Sequence, residues 1–400
     1  MGQPVRRSAV GQGRCGGLDR AYPVYGDAEL CSTYYRKPAG VSHAAERLRP
    51  ADRKGFAARR LTTTVARAGR TPTTGVTVTG DDRKALFERL RQDLATGWTP
   101  VRYESADGLA LGGRDYRPAP DADSGNALPL LCLPGLTRNS RDFHALARAL
   151  SGRGKDARRV VTLDLRGRGV SASDADARNY APPVEAEDVV KGLDSLGIER
   201  AVILGTSRGG LVGTLIALGH PARLAGLILN DVGPAIETAG LKRISDYIVS
   251  PWVPSTWEAA AAGQKRQLEA FFPDFGDEDW MRFALQIYAD VDGKPAFAFD
   301  PQLGATFADI SFDKPQPTAW ELFDALAGVP LMVIRGVLSD ILSAETVAEM
   351  GARRSDLDVL TVPRQGHAPV LWEDAVVARI ADFLSECDRE GTGATEPPAP

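Results

Sequence analysis

The segment Gly205–Gly209, which reads GTSRG, offers the clearest chemistry in this chain of 400 residues. It stands between an apolar run at 201–204, which predicts a short buried strand, and a second apolar run at 211–218, which predicts a buried helix. A serine between two glycines on so tight a strand-to-helix turn has an exposed hydroxyl, and a side chain at either glycine would clash with backbone or substrate. We therefore predict that Ser207 is a nucleophile at the N-terminus of a helix.

A serine hydroxyl is a poor nucleophile until a base takes its proton, and two histidines follow Ser207 in the chain. His367 lies in a Gly-His-Ala-Pro loop after the last predicted strand and before the final predicted helix, where it could reach Ser207. His220 stands beside a proline at the far end of the helix that follows Ser207. We predict that His367 is the base and that His220 is structural.

An acid should orient the imidazole and stabilise its protonated form. Asp340 lies just beyond the predicted strand 331–334, and Asp231 lies at the end of the predicted strand 224–230. We favour Asp340 because of its place beyond the strand end, and we keep Asp231 as the alternative. Asp340 could also cap a helix.

Acyl chemistry also needs hydrogen-bond donors for a developing oxyanion. The backbone N–H of Arg208, directly after the candidate nucleophile, is the first predicted donor. The second is the backbone N–H of Leu136, in the loop 133–139, where Gly135 allows a close approach of the backbone.

The segment Asp164–Ser171 follows another predicted strand and contains two glycines and two arginines. It could be mistaken for a phosphate cradle, but it lacks the third glycine and the helix start of a dinucleotide fingerprint. We interpret it as a sharp turn whose Asp and Arg side chains brace neighbouring loops. We expect neither a metal nor an organic cofactor.

Strand and helix patterns alternate along most of the chain, which indicates crossover connections and a largely parallel sheet. The alternation of strand and helix patterns stops after Gly233, where amphipathic helical stretches carry many aromatic residues. The predicted organisation is a disordered segment or extension at 1–80, the first part of an α/β core at 81–232, an inserted helical lid at 233–320, the second part of the core at 321–388 and a loose tail at 389–400.

The charge and the cysteine content limit which binding partners and which cellular compartment we expect for the protein. Residues 1–70 carry an excess of nine positive charges, so the remainder carries an excess of thirteen negative ones, which argues against nucleic-acid binding. No apolar run is long enough to span a membrane. The chain has four cysteines without metal-site spacing, which we interpret as reduced thiols in a cytoplasmic protein: Cys15, Cys31, Cys132 and Cys387. The sequence leaves the oligomeric state open.

Residues 99–388 resemble the lidded α/β-hydrolases, close to bacterial carboxylesterases and enol-lactonases. The resemblance is carried by the Gly205–Gly209 turn, by the spacing of Asp340 and His367 and by the Asp164–Ser171 loop, whereas Pro134-Gly135 stands where many members have His-Gly. It implies an α/β fold, with a mostly parallel sheet flanked by helices and an inserted helical lid. It also implies a serine hydrolase that cleaves a carboxylic ester, lactone or related acyl bond of a small-molecule substrate through an acyl-enzyme.

Other functions fit the same residues. C–C bond hydrolases, acyltransferases and perhydrolases use the same Ser-His-Asp constellation. A non-catalytic module that binds a small ligand is an alternative of another class, because fold does not fix function.

Overall fold

The structure is a computed structural model, and it describes residues 62–64, 80–119, 127–152, 154 and 157–392. Within these residues one large sheet forms the centre of the fold. Its strands are β1 (Thr62–Thr64), β2 (Thr99–Glu104), β3 (Ala110–Tyr116), β4 (Leu130–Leu133), β5 (Val160–Asp164), β6 (Ala201–Thr206), β7 (Leu224–Asn230), β10 (Leu331–Gly336) and β11 (Asp358–Val362). They lie in the order β1-β11-β10-β7-β6-β4-β5-β3-β2. The strand β3 runs antiparallel to both of its neighbours, β2 and β5, and the other described pairs of this sheet are parallel.

Helices cover both faces of the sheet because its central strands are apolar on both sides. On one face, Ile203 and its neighbours pack against four helices: α3 (Pro182–Ser195), α4 (Arg208–Gly219), α8 (Trp320–Asp324) and α9 (Ala344–Arg353). On the other face, Leu204 and its neighbours pack against α2 (His144–Ser151) and α10 (Asp374–Thr392). This confirms the predicted α/β class.

The segment between β7 and β10 forms the predicted lid. It contains α5 (Thr238–Val249), α6 (Trp257–Leu268) and α7 (Asp277–Ile287). An aromatic cluster around Trp280 fills its interior and also receives the helix α1 (Gly80–Leu94). The lid therefore has a small hydrophobic core of its own.

The lid also contains a hairpin that the sequence analysis did not predict. The strands β8 (Tyr288–Val291) and β9 (Lys294–Phe297) pair antiparallel. Asp292 and Gly293 form their two-residue turn, and both have positive φ values. Asp-Gly at such a turn is a strong hairpin signal.

The two predictions for the ends of the chain, at 1–80 and 389–400, concern mostly residues that the structure does not describe. Of the segment 1–80, only Thr62–Thr64 and Gly80 are described, and the first of these forms an edge strand parallel to β11. The helix α10 continues to Thr392, so the chain is helical over the first four residues of the expected loose tail. None of the described helices combines the length and apolar character needed to cross a bilayer.

Candidate active site

Ser207 stands on a strained corner between β6 and α4. Its φ and ψ values are 50° and −112°, a backbone conformation that a residue with a side chain seldom adopts. A Cβ atom at Gly205 would collide with the backbone of Gly209, and one at Gly209 would collide with the carbonyl of Leu133 at the end of β4. The two glycines therefore let the turn close on itself and lie directly against the neighbouring strand, as predicted.

His367 reaches Ser207 from the loop between β11 and α10. Its Nε2 atom lies 3.0 Å from the Ser207 Oγ atom. The imidazole is almost completely buried, with 8% of its side chain exposed. The structure therefore brings together the two side chains that the sequence assigned to nucleophile and base.

The other nitrogen of His367 contacts Asp231, which follows the last residue of β7. The Asp231 Oδ2 atom lies 2.9 Å from His367 Nδ1. The same oxygen accepts a hydrogen bond of 2.5 Å from the Ser339 hydroxyl, and Oδ1 accepts one of 2.9 Å from the Gly336 N–H. An ionised carboxylate can only accept hydrogen bonds, so Nδ1 carries the hydrogen in this contact and Nε2 presents its lone pair to Ser207.

The prediction that Asp340 orients His367 is wrong in its geometry. Both carboxylate oxygens of Asp340 bind the Arg243 guanidinium, at 2.6 and 2.8 Å. Arg243 belongs to the lid helix α5, so Asp340 attaches the lid to the loop after β10 instead. Asp231 was the alternative. It follows β7, which pairs directly with β6, the strand that leads into Ser207, whereas Asp340 follows β10, which is one strand further from β6.

Asn230, which precedes Asp231, connects the three segments that carry these side chains. Its buried amide Nδ2 donates to the Thr206 hydroxyl at 3.0 Å and to the Pro369 carbonyl at 3.1 Å. Thr206 precedes Ser207, and Pro369 follows His367 by two positions. One amide therefore contacts all three segments, a role that no sequence pattern indicated.

The two predicted oxyanion donors belong to two segments next to Ser207. Arg208 is the first residue of α4, where a backbone N–H has no intrahelical acceptor. Leu136 lies in the loop after β4, and a Cβ atom at the adjacent Gly135 would come within 3.9 Å of the Ser207 Cβ. The loop is thus close enough to Ser207 for its backbone to approach a bound acyl group.

The turn Asp164–Ser171 braces this loop, as the sequence analysis expected. Asp164 accepts hydrogen bonds from the N–H groups of Ser140 and Val170, at 2.5 and 2.9 Å. Burial raises the pKa of the Asp164 carboxyl, and these hydrogen bonds oppose that effect.

The predicted structural histidine, His220, lies 2.9 Å from a carboxylate oxygen of Glu187. In the part of the chain that the structure describes, no group of three His, Cys, Asp or Glu side chains could hold a metal ion.

The lid contacts the loops on both sides of the site. The Asn139 amide donates to the Gln286 carbonyl of α7 at 2.8 Å, which joins the lid to the loop after β4. Phe271 lies so close to Gly366 that a Cβ there would collide with it. The lid therefore rests against the loop of His367 as well.

Comparisons with known proteins agree with this architecture. A family model described as "Alpha/beta hydrolase family" matches residues 130–382. The 3-hydroxybutyrate-oligomer hydrolase of Cupriavidus necator is 35% identical over 275 residues, which are 66% of this chain and 90% of that protein. The sn-1-specific diacylglycerol lipase of Mus musculus is 26% identical over 297 residues, which are 70% of this chain and 92% of that protein.

A solved structure gives a similar result. The crystal structure of an alpha/beta hydrolase from Novosphingobium aromaticivorans has 40% sequence identity to this chain and a TM-score of 0.65. The match covers 72% of this chain and 99% of that one.

Proposed function

The chain belongs to the alpha/beta hydrolase family and is a hydrolase, and from this premise we propose that it cleaves carboxylic esters with a Ser207–His367–Asp231 triad. The observation that carries the proposal is the unbroken line of contacts from Asp231 through the imidazole to the Ser207 hydroxyl. The relatives named above support ester hydrolysis as the general reaction.

In the first half of the reaction, Ser207 Oγ attacks the ester carbonyl and His367 Nε2 takes the hydroxyl proton. The imidazolium that forms is stabilised by the buried Asp231 carboxylate on its other side. The carbonyl oxygen becomes an oxyanion, which accepts hydrogen bonds from the N–H groups of Arg208 and Leu136. When the tetrahedral intermediate collapses, the ester C–O bond breaks and the leaving alcohol takes the proton from Nε2.

In the second half, a water molecule replaces the alcohol. His367 Nε2 removes a proton from this water as it attacks the acyl-enzyme, and the same backbone donors stabilise the second oxyanion. Collapse releases the carboxylic acid and returns the proton to Ser207. Every proton passes through Nε2, which explains why the hydrogen on Nδ1 has to be fixed by Asp231.

Substrate choice is proposed from the relatives and the lid. Oligomers of 3-hydroxybutyrate are the first esters to test, because the relative of that name is 35% identical over most of its length. Diacylglycerols are the second. The aromatic lid lies against the His367 loop, so we expect it to limit substrate size. The cytoplasmic location remains a prediction, supported by the buried free thiol of Cys132.

The central test combines covalent labelling with one substitution. A fluorophosphonate probe should label Ser207, and mass mapping of the modified peptide identifies the residue. Ser207→Ala should abolish the labelling and lower ester turnover by about 10⁴-fold or more, because the triad acts as a unit. Circular dichroism should show that the variant remains folded.

The same assay separates the alternatives. Turnover of vinylogous diketones or transfer of the acyl group to added alcohols, in preference to ester hydrolysis, would favour the C–C hydrolase or the acyltransferase. Turnover with hydrogen peroxide as acyl acceptor would favour the perhydrolase. Failure of every ester together with an unlabelled Ser207 would contradict the proposal and favour a ligand-binding module.

A further inference from the structure

A single buried carboxylate links two arginines beside the site. Glu185 of α3 is completely buried. Its Oε1 atom accepts a hydrogen bond of 2.7 Å from Arg168 Nη1, and its Oε2 atom accepts one of 2.7 Å from Arg208 Nε. The Arg168 side chain is also fully buried, and that of Arg208 is 13% exposed. We call these three residues the Glu185 cluster.

Each arginine of the Glu185 cluster also binds a backbone carbonyl. Arg168 Nε donates to the carbonyl of Leu136 at 2.7 Å. Arg208 Nη2 donates to the carbonyl of Tyr180 at 2.7 Å. The cluster therefore spans from one predicted oxyanion donor residue, Leu136, to the other, Arg208.

Electrostatics favour the charged form of Glu185. Burial alone would oppose ionisation of Glu185, but the charges of Arg168 and Arg208 and their hydrogen bonds hold its pKa below the usual range. Hydrogen bonds between ionised groups are shorter and about twice as strong as those between neutral groups. The cluster is thus a stiff connection through the buried interior beside the site.

Stability alone does not account for such an arrangement. Taking charges out of water is costly, and well-packed apolar residues often stabilise a fold as well as a buried ion pair does. Apolar side chains could not hold the Leu136 carbonyl through a directed hydrogen bond. The distinctive property of the Glu185 cluster is therefore the fixed position of two backbone segments relative to each other.

We propose that the Glu185 cluster positions the oxyanion site, with Glu185 as a positioning residue that sets the spacing between the loop of Leu136 and the first turn of α4. Glu185 itself does not touch the substrate. It acts through Arg168 on one donor segment and through Arg208 on the other. This inference rests on the proposed ester hydrolysis.

The test uses two substitutions in the full-length protein. Glu185→Gln keeps the shape of the side chain but removes its charge. Arg208→Met removes the guanidinium, leaves the backbone N–H of residue 208 in place and keeps the pair between Glu185 and Arg168. Each variant is assayed for kcat and KM with a 3-hydroxybutyrate oligomer, for inhibition by a boronic acid that mimics the tetrahedral oxyanion, and for its Tm.

Both variants should lower kcat by about 10-fold or more, because displacing a preorganised group by less than 1 Å has effects of this size. KM should change little, since ground-state binding does not use the oxyanion donors. Boronic acid affinity should fall in parallel with kcat. Arg208→Lys, which keeps a charge for Glu185 but loses the planar fork, should recover part of the lost kcat.

Asp388→Asn is the matched control. Asp388 binds the buried Arg158 at 2.9 Å and also accepts a hydrogen bond from the Leu128 N–H. Leu128 lies just before β4, at the amino end of that strand, whereas Ser207 lies at the carboxyl end of its strand. This variant should lower the Tm as Glu185→Gln does, because both leave a buried guanidinium without its carboxylate. Its kcat and boronic acid affinity should stay at the wild-type values.

If the wild type is active, two results would overturn the inference. The first is a kcat within about twofold of wild type for both Glu185→Gln and Arg208→Met. The second is an equal loss of kcat in Asp388→Asn, which would make the effect a general loss of stability. If the wild-type protein neither hydrolyses esters nor reacts with a fluorophosphonate, the proposed function fails and the inference fails with it. An active wild type with unaffected variants refutes the inference alone.

Discussion

Both carboxylate oxygens of Asp231 accept hydrogen bonds, and the three donor groups come from two segments of the chain. His367 binds from the loop after β11, while the Gly336 N–H and the Ser339 hydroxyl bind from the end of β10 and the loop that follows it. Among the described residues, Asp231 is one of four other than glycine that have a positive φ, here 57°. A buried carboxylate held in this way keeps its direction, which is what an imidazole partner needs in order to be oriented.

Replacing Asp231 with asparagine should lower kcat by about 10³- to 10⁴-fold, because the amide can donate to His367 and favour the wrong tautomer. Asp340→Asn is the matched control, since it changes the aspartate first favoured as the acid. It should leave kcat within a few-fold of wild type, because it weakens only a partly exposed ion pair with Arg243. Steady-state ester hydrolysis measures both, and the reverse pattern would reassign the acid to Asp340.

At this scale the sequence predicted Ser207 and His367 because each stands in a recognisable local pattern. The acid has no such pattern: Asp231 and Asp340 both follow the carboxyl end of a strand. What separates them is lateral position in the sheet and the presence of Arg243, a cation from a distant lid helix. Neither feature can be derived from the spacing of residues along the chain.

Among the elements, the contact between the Ser207 turn and β4 leaves little room for change at the site. Gly209 brings the first turn of α4 against the Leu133 carbonyl, so the helix start and the end of β4 have no room for one more methyl group. The loop that carries Leu136 leaves the sheet from this same strand. The packing of α4 on β4 therefore helps to define the distance between the two proposed oxyanion donors, the backbone N–H groups of Arg208 and Leu136.

We expect Gly209→Ala to lower the free energy of unfolding by about 1–3 kcal/mol or more, and to reduce activity strongly, because the added methyl group overpacks this contact. Gly219→Ala, at the other end of the same helix, meets nothing within 4 Å and should be neutral or slightly stabilising. Urea denaturation and ester turnover of the two variants give the comparison. Equal stability of both would show that the turn tolerates expansion.

The elements themselves were largely predictable, because apolar runs of strand length alternate with helical patterns over the two parts of the core. The hairpin of the lid was missed because β8 and β9 have four residues each and no sustained alternation. Asp292-Gly293 was the available signal. The pairing of Thr62–Thr64 with β11 was also missed, because a strand of three residues has no measurable periodicity.

At the scale of the whole molecule, a buried histidine joins three parts of the fold. The Nδ1 atom of His144, the first residue of α2, lies 3.0 Å from the Tyr116 hydroxyl of β3. Its Nε2 atom lies 3.6 Å from an oxygen of Asp93, on α1. Burial lowers the pKa of His144 to about 4, with the Arg114 and Arg148 charges acting in the same direction and Asp93 opposing them. The folded protein therefore keeps this imidazole neutral at pH values where the unfolded chain protonates it.

This difference makes stability depend on pH. The unfolded state binds the extra proton below its pKa near 6.5, so the stability linked to His144 is present at neutral pH and is lost as the pH falls from about 6.5 towards 4. The loss between pH 7 and pH 5 should be about 2 kcal/mol, given about 1.4 kcal/mol for each pKa unit. Urea titrations of wild type and His144→Gln at both pH values measure it. The wild type should lose more stability than the variant, and parallel losses would contradict the prediction.

The position of Asp231 has a consequence for how this enzyme could change its substrates. Ser207 directly precedes α4 and Asp231 directly follows β7, so both precede the first residue of the lid. The lid can therefore be exchanged as a cassette between β7 and β10 without separating nucleophile from acid. A lineage that diversifies by swapping this insert would keep its chemistry intact, and a laboratory chimaera made at the same two junctions would inherit a complete pair.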